Sequence, residues 1–496
     1  MPKDPVPALL ARAAERLNEQ FDYLPPVADG LENRADTVSD SPLDPLSDSL
    51  SDPAIDPLMA VLDRTAERLG DNYPYFHPLY AGQMLKPPHP VARAAYALAM
   101  AINPNNHARD GGRASSEMEI EAVAGIAAMF GWKDGGFLGH LTSSGTIANL
   151  EALWIAGQSG AGTHATQGNR IVGSAQAHYT HQRISAVLKL DYASVATDDR
   201  GRMDLGALED ELRRGDVGTV VATLGTTAIG AIDPLDGILE LRKRYGFRVH
   251  VDAAYGGYFK LIPDELEEPA RRAFAAIAEA DSIVVDPHKH GLQPYGCGCV
   301  LFRDPGVGRF YKHDSPYTYF TSKELQLHPS EQKSLAGGPV HLGEISLECS
   351  RAGASAVALW ATQELLPLEP GGEFARGLAA GRRAAVELDR RLRADKRVEC
   401  LAAGGPELDI VVWKLAAASA KEAAEAAQGV FDACAARNLH LALVQLPQPW
   451  FQPHAEGLEL VTCLRSVLMK PEHEAWLDRI WQVYDAAGKG VLGRGQ

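Results

Sequence analysis

The apolar positions between residues 170 and 304 change period repeatedly. Five short runs are almost continuously apolar and rich in β-branched residues, which is typical of buried strands: RIVGSA, GTVVATLG, RVHVDAA, SIVVDP and GCVLFR. Helical spacing lies between them, at 204–214, 237–245 and 268–280. Continuous apolar strands that alternate with helices predict an α/β fold with a mostly parallel sheet covered on both faces.

The regions on either side of this alternation predict an arm and a second, smaller domain. Helical spacing occurs upstream at 90–102 and 115–130, and Ser and Glu residues at the start of the second stretch can cap a helix. The acidic stretch 39–57, SDSPLDPLSDSLSDPAIDP, is typical of an exposed connector. After the break PLEPGG come the strand-like runs DIVVWKL and LELVTCLRSVLM. We therefore expect an N-terminal arm (1–110), a large domain (111–360) and a small C-terminal α+β domain (361–496).

Composition and charge narrow the range of partners. The chain of 496 residues carries 48 Lys and Arg against 64 Asp and Glu, a net charge of −16. This acidic balance argues against a nucleic-acid partner and against an anionic membrane surface. No run of about 18 uncharged apolar residues is present, so we expect no membrane span. Six cysteines without a repeated spacing, and a start without an apolar signal core, favour the cytoplasm.

Polar side chains follow the predicted strands at the points where those strands end. Asp252 follows RVHV, Lys289 comes shortly after SIVV, and His178 comes after RIVGSA. Ligands gather at the carboxyl ends of strands in open α/β sheets. A buried Asp needs a cationic partner, and burial lowers the pKa of a Lys, which makes its amine nucleophilic. For this pair alone, a purely structural Asp252–Lys289 ion pair is the alternative.

Further features favour a cofactor site over a purely structural ion pair. The loop 142–146, TSSGT, precedes a helix, and amides and hydroxyls at a helix N-terminus bind phosphate. His178 has a flat ring that can lie over a planar ligand, and Arg351 can bind a carboxylate through two hydrogen bonds. A phosphate seat, a buried carboxylate and a reactive amine fit pyridoxal phosphate (PLP), because its aldehyde binds a lysine and its pyridine nitrogen needs an acidic partner.

The same stretches carry a resemblance to a known family. TSSGTIANLEALW, AHYTHQR, VVATLGTTAIGAIDPL, HVDAAYGG, VDPHKH and SRAGASAVALW resemble group II PLP-dependent decarboxylases, which include aromatic amino acid, tyrosine and glutamate decarboxylases. The resemblance implies PLP fold type I, which is aspartate aminotransferase-like, with a seven-stranded large sheet. It also implies a homodimer with the active site at the interface. The implied reaction converts an L-amino acid to its amine and CO2 through a Lys289 Schiff base and a quinonoid intermediate.

The resemblance implies a role for each matching residue. Lys289 would carry the Schiff base, Asp252 would pair with the pyridine nitrogen, and His178 would stack on the ring. Cofactor binding would further involve Ser144, Gly145, Thr146, Thr226, Thr227, Ala254 and His288. The candidate substrate contacts are Arg351, His107 and Tyr317.

The proton donor and the substrate depart from a simple family pattern. Decarboxylases of this family place a Tyr on a mobile loop that protonates the quinonoid carbon, whereas 321–341 in this chain contains none. Tyr317 and Tyr319 lie just before that segment. The aromatic stretch YPYFHPLY at 73–80 slightly favours an aromatic substrate, whereas His107 and Arg113 would suit an acidic one.

Other functions remain open at the level of the sequence. A carbon–carbon lyase similar to sphingosine-phosphate lyase, or an aminotransferase, would use the same cofactor residues. A metal-binding protein could use His288, His290, Cys297 and Cys299, but the CxC spacing is unusual for zinc and we expect no metal. A non-catalytic scaffold that retains the fold is the remaining alternative.

Overall fold

The computed structural model describes six stretches of the chain. They are residues 56–107, 111–133, 136–159, 168–311, 345–452 and 460–492, together with positions 11, 15 and 19. The predicted connector at 39–57 lies outside these ranges except for its last two residues, and Tyr317 and the segment 321–341 lie outside them as well.

The larger of two sheets has seven strands in the order β1-β7-β6-β5-β4-β2-β3. They are β1 (Leu138–Thr142), β2 (Arg170–Ser174), β3 (Tyr192–Val195), β4 (Val217–Thr223), β5 (Arg248–Asp252), β6 (Ser282–Val285) and β7 (Gly298–Phe302). Strands β6, β5, β4, β2 and β3 pair in parallel, while β7 runs antiparallel to both β6 and β1. Every residue of β6 and β7 is buried, as continuous apolar runs require. The mostly parallel α/β sheet is therefore confirmed, with one reversed strand.

Helices connect these strands and cover the sheet. They are α1 (Asp56–Leu69), α2 (Pro90–Met100), α3 (Arg113–Met129), α4 (Gly145–Gln158), α5 (Thr180–Leu188), α6 (Leu205–Leu212), α7 (Leu235–Tyr245), α8 (Glu268–Ala276), α9 (Gly353–Leu365), α10 (Glu373–Arg393), α11 (Ala420–Ala435) and α12 (His473–Leu492). Helix α4 packs on β6 and β7, so its first turn lies near the ends of the central strands. None of the helices in the described ranges is both long enough and apolar enough to cross a membrane.

The start of α3 differs from the prediction. The helix begins at Arg113 with Gly112 as its N-cap, so the Ser and Glu residues expected to cap it lie within its first turns. The hydroxyl of Ser115 donates to the Gly112 carbonyl at 3.1 Å and contacts the buried Asn106 side chain. This contact with another part of the chain occupies the hydroxyl that local spacing assigned to a cap.

Two strands of the large sheet have no clear sequence pattern. Strand β1 contains Gly139 and His140 where a β-branched run is expected. The buried polar ring of His140 is tolerated because its Nε2 lies 2.9 Å from the buried Glu151 carboxylate. Strand β3 is a four-residue edge strand with only Val195 fully buried, so its apolar signal is short.

A second, smaller sheet follows in the C-terminal part of the chain. Its strands are β8 (Val398–Cys400), β9 (Ile410–Leu415), β10 (Ala442–Pro447) and β11 (Leu460–Val467), antiparallel in the order β10-β11-β9-β8. Helices α10, α11 and α12 pack on it around Trp413 and Leu464. Leu79 and Ala81 from the N-terminal region join the same core, and the Ala81 amide donates to the His440 carbonyl at 2.9 Å.

Candidate active site

A polar cavity of about 200 Å³ lies where the central strands end. Thr223 is the last residue of β4, Asp252 is the last residue of β5, and Asp286 follows β6 directly. The first turn of α4 faces them. The cavity is lined by Ser144, Gly145, Thr146, Asn149, His178, Thr180, Thr223, Gly225, Thr227, Asp252, Ala254, Tyr255, Asp286, His288 and Lys289. Nine of the residues predicted for the cofactor therefore line this cavity, although they come from five places in the sequence.

The amine of Lys289 pairs with a carboxylate that the sequence analysis did not single out. Nζ lies 3.0 Å from Oδ2 of Asp286, three residues earlier in the same turn. Burial alone would lower the pKa of Lys289, but the carboxylates of Asp286 and Asp252 outweigh it and raise the pKa. The predicted lowering was therefore wrong for the cofactor-free protein, because two carboxylates face the amine instead of one.

Asp252 is held in place by several donors at the end of β5. The ring Nε2 of His181 lies 2.8 Å from its Oδ2, and the Ala254 amide donates to its Oδ1 at 3.1 Å. Asn149 donates to Oδ2 at 3.5 Å. Burial would raise the pKa of this carboxyl, but His181, together with Lys289, lowers it well below its usual range. Asp252 is therefore an ionised, nearly buried carboxylate that faces the cavity.

The start of α4 has the geometry of an anion seat. Ser144 is extended and caps the helix, since its hydroxyl accepts the Ile147 amide at 3.3 Å. At Gly145, a Cβ would lie 2.5 Å from both carboxylate oxygens of Asp286, so only glycine allows this close approach. The hydroxyl of Thr146 lies 3.5 Å from that of Thr180. Hydroxyls and the positive end of a helix dipole thus meet at one corner of the cavity.

Two histidines of the cavity have ring orientations fixed by the backbone. The Thr180 amide donates to Nδ1 of His178 at 3.2 Å, and burial lowers the pKa of His178. The ring is therefore neutral at pH 7 with its proton on Nε2. Nδ1 of His288 lies 2.7 Å from the Cys297 carbonyl oxygen, so Nδ1 donates and Nε2 is left toward the cavity.

Other predicted residues lie outside the cavity. The hydroxyl of Thr226 accepts the Ala231 amide at 2.9 Å inside a tight turn, so Thr227 lines the cavity and Thr226 does not. His107 also lies outside the lining; its backbone amide donates to Asn105 at 3.0 Å. Tyr317 lies outside the described residues.

The predicted contact of Arg351 with a substrate carboxylate has no support in this geometry. Its Nη1 donates to Glu119 at 2.6 Å and to the Leu141 carbonyl at 2.7 Å, and Nη2 donates to the Asn106 carbonyl at 3.2 Å. The side chain is buried and is absent from the cavity lining. Arg351 instead forms a structural ion pair with Glu119, which is almost fully buried and needs a cation.

The sequence analysis missed several residues of the cavity wall. Asn149, Thr180, Thr223, Tyr255 and Asp286 line it in addition to the predicted set. Thr223 and Asp286 stand at strand ends, and this position alone could have singled them out. Asn149 lies one turn into α4, so its orientation depends on how the helix packs.

The described residues contain no cluster of side chains suited to bind a metal ion. They contain no group of three or more His, Cys, Asp or Glu side chains arranged to hold an ion. Cys297 and Cys299 are buried, which raises the pKa of both thiols. His290 points away from the cavity, with Nε2 3.3 Å from Asp409 at the edge of the smaller sheet.

The polar groups of the cavity fit PLP. The ionised Asp252 suits a protonated pyridine nitrogen, the start of α4 suits a phosphate, and Lys289 offers the amine. Thr223 Oγ1 and Asp286 Oδ1 are buried and have no hydrogen-bond partner among the described residues, so the cavity retains unused polar capacity. Fold and cavity together define a PLP-dependent enzyme of fold type I.

Comparison with known proteins identifies the family. Residues 74–318 match the model of the pyridoxal-dependent decarboxylase conserved domain. An L-tyrosine decarboxylase of Enterococcus faecium is 27% identical, and the alignment covers 72% of each chain. A probable L-tyrosine/L-aspartate decarboxylase of Methanothermobacter thermautotrophicus is 29% identical over 69% of this chain and 85% of that protein. The crystal structure of Oryza sativa TDC with PLP and tryptamine superposes with a TM-score of 0.73 at 18% identity, covering 99% of both chains.

The chain therefore belongs to the pyridoxal-dependent decarboxylase family, the group II PLP-dependent enzymes. It is a lyase of amino acid metabolism, and its cofactor is pyridoxal phosphate.

Proposed function

We propose that this chain decarboxylates an L-amino acid to its amine and CO2 with PLP anchored covalently on Lys289. One observation carries the proposal: Lys289, the ionised Asp252 and the start of α4 line the same cavity. PLP supplies an electron-accepting ring that stabilises the negative charge left on a substrate carbon when a bond to that carbon breaks.

Each side of the cavity has a separate task in this proposal. Ser144, Gly145, Thr146 and His288 hold the phosphate, chiefly through the hydroxyls and amides at the start of α4. Asp252 keeps a proton on the pyridine nitrogen, because its charge is maintained by His181. Ala254 and Thr227 line the wall around the ring.

His178 is proposed as the residue that stacks on the ring and orients the reacting groups. Its neutral ring presents an Nε2–H donor, because Nδ1 already accepts the Thr180 amide. A neutral donor next to the cofactor can hold a substrate oxygen without adding a positive charge. Oδ2 of Asp286 lies 3.0 Å from Nζ of Lys289 and would stabilise the ammonium form of that amine whenever it is not bound to the cofactor.

An aromatic substrate is proposed over an acidic one. No arginine lines the described cavity, and its one lysine is committed to the cofactor, so a second carboxylate would lack a cation. Aromatic rings stand beside the cavity: Tyr295 lies 4.8 Å from the His288 ring, and its hydroxyl donates to Met84 at 3.4 Å. Tyr75 and Tyr80, a few residues before Met84 in the N-terminal region, pack edge to face against each other. Relatives named as tyrosine decarboxylases support this preference, whereas other relatives are named for aspartate or 2,4-diaminobutyrate.

We also propose a cytoplasmic homodimer with three parts per subunit: an arm at 1–110, a cofactor domain at 111–360 and a small domain at 361–496. Leu98, Met100 and Ile102 are 63–81% exposed at the end of α2, which favours coverage by a second subunit. All six cysteines are free, as in a reducing compartment. Light scattering of the purified chain tests the homodimer, and fractionation of cells tests the cytoplasmic location.

The experiment on the reaction combines labelling with product analysis. Borohydride treatment of the PLP-loaded protein should fix the cofactor on Lys289, located by peptide mass spectrometry. Lys289→Ala should lose the label, while Lys243→Ala, on an exposed side chain, should keep it. A panel of L-amino acids should release CO2 and the matching amine, fastest with aromatic side chains. Formation of a ketoacid without CO2 would instead assign an aminotransferase, and absence of any label would overturn the proposed anchor.

A further inference from the structure

Behind Asp252 lies a buried histidine that no part of the proposed chemistry uses directly. His181 is the second residue of α5, its side chain is fully buried, and it does not line the cavity. Its Nε2 lies 2.8 Å from Oδ2 of Asp252. The Nδ1 atom on the other side of the ring is buried and has no partner among the described residues.

These contacts determine which ring nitrogen carries the proton. An ionised carboxylate accepts hydrogen bonds and donates none, so Nε2 of His181 must be the donor. Nδ1 of His181 has no hydrogen-bond partner among the residues that the structure describes. The ring is therefore anchored on one side only, by the hydrogen bond that Nε2 donates to Asp252.

A chain of hydrogen bonds through Ser282, His250 and Asn149 orients the Asn149 amide toward Asp252. The Ser282 hydroxyl lies 2.8 Å from Nδ1 of His250, and Nε2 of His250 lies 2.8 Å from the Asn149 carbonyl oxygen. Burial lowers the pKa of His250 to about 3, so this histidine is neutral. Asn149 in turn donates its amide to Asp252 at 3.5 Å. The carboxylate thus accepts hydrogen bonds from His181 and Asn149 on the side of the protein interior.

The two carboxylate oxygens of Asp252 differ in how many further hydrogen bonds they can accept. Each oxygen can accept about two hydrogen bonds. Among the described residues, Oδ2 accepts hydrogen bonds from His181 and Asn149, whereas Oδ1 accepts only the Ala254 amide. Oδ1 therefore keeps an unused acceptor position on a carboxylate that lines the cavity.

We propose that His181 is a positioning residue that fixes the rotation of Asp252 and reserves Oδ1 for the pyridine N–H of the cofactor. This inference rests on the proposed function, in which Asp252 faces that nitrogen. His181 acts without touching the cofactor, since it is not part of the cavity wall. Its effect is on how firmly the cofactor ring is held and protonated.

The test compares variants by cofactor binding and absorbance. His181→Leu removes the donor, His181→Asn keeps a polar side chain too short to reach Asp252, and His181→Gln keeps a donor of similar reach. The dissociation constant of PLP should rise about ten-fold in the Leu and Asn variants and stay within about three-fold in the Gln variant. The absorption maximum of the bound cofactor should shift in the first two and return toward the wild-type position in the third.

His140→Leu is the matched control. His140 is another fully buried histidine that lies 2.9 Å from a buried carboxylate, Glu151, but it is outside the cavity. It should lower the melting temperature without changing the cofactor affinity or spectrum. Should the Leu variant of His181 not fold, the Asn variant carries the same prediction.

Two results would overturn the proposal. One is a wild-type affinity and spectrum in the folded Leu or Asn variant; the other is an equal change in all variants, His140→Leu included, which would mean general packing. Both differ from failure of the proposed function, in which the wild-type chain itself would bind no PLP.

Discussion

The ammonium of Lys289 lies 3.0 Å from the carboxylate of Asp286, one turn earlier in the segment that follows β6. A second carboxylate, Asp252, adds to its field, and the pKa of Lys289 is raised in spite of burial. The amine proposed to attack the cofactor aldehyde is therefore protonated at neutral pH in the cofactor-free protein. We expect Asp286 to slow the covalent uptake of PLP for this reason.

Covalent capture of PLP should accelerate as the pH rises, because only the unprotonated amine attacks the aldehyde. Asp286→Asn removes a carboxylate that stabilises the ammonium, so the midpoint of this pH dependence should move to lower pH and capture at pH 7 should become faster. Stopped-flow absorbance of apoprotein mixed with PLP measures both. Asp210→Asn, on an exposed side chain, is the control. An unchanged midpoint would show that Asp286 does not stabilise the ammonium form of Lys289.

The close approach at Gly145 predicts a loss of cofactor affinity on a minimal change. In Gly145→Ala the new methyl group would lie 2.5 Å from both oxygens of Asp286, so either the carboxylate or the start of α4 must move. We expect the dissociation constant of PLP to rise about 5- to 150-fold, which corresponds to a packing cost of about 1–3 kcal/mol.

Gly490→Ala is the control for this substitution, because nothing lies within 4 Å of the Cβ it would add in α12. It should leave cofactor affinity unchanged and stabilise the helix by up to about 1 kcal/mol. Equilibrium titration with PLP and thermal unfolding distinguish the two variants. Equal affinities would mean that the carboxylate adjusts without effect on the cavity.

The sequence predicted those parts of the site that are fixed by local position. Asp252 and Lys289 stand where strands end and Ser144 stands where a helix begins, so apolar periodicity sufficed to place them on one edge. The partners of these side chains could not be read in this way. His181 reaches Asp252 across 71 positions in the sequence, and which face of α5 it occupies depends on packing.

In the fold, too, elements that are set by local sequence were predictable, whereas elements that depend on distant contacts were not. Strands with continuous apolar runs were predicted closely, whereas β1, with Gly139 and His140, had no pattern to recognise. It becomes a strand because β7 pairs with it along its whole length. Arg351 was misassigned for a related reason, since Glu119, its partner, lies 232 positions away.

Removal of the charge on Asp252 should separate cofactor capture from catalysis. Asp252→Asn keeps the size of the side chain but cannot balance a protonated pyridine nitrogen, so kcat should fall by at least about ten-fold. Capture through Lys289 should persist, because the lysine remains in place and loses only the weaker of the two carboxylates that raise its pKa. Release of CO2 under saturating substrate measures kcat, and borohydride labelling measures capture. Full activity with a labelled cofactor would contradict the role given to Asp252.

The ion pair between Arg351 and Glu119 predicts a loss of stability without a loss of substrate binding. Arg351→Met leaves the buried Glu119 carboxylate without its cation, although the Leu141 and Asn106 donors remain at 3.0 and 2.7 Å. The free energy of unfolding should fall by about 3–5 kcal/mol, and less in the double variant with Glu119→Gln, which removes the stranded charge. Denaturant titration of the apoprotein measures both. KM for the amino acid should stay within about two-fold of wild type, since Arg351 is absent from the cavity wall. A ten-fold or larger rise in KM, with unfolding unchanged, would return Arg351 to the role of substrate carboxylate ligand.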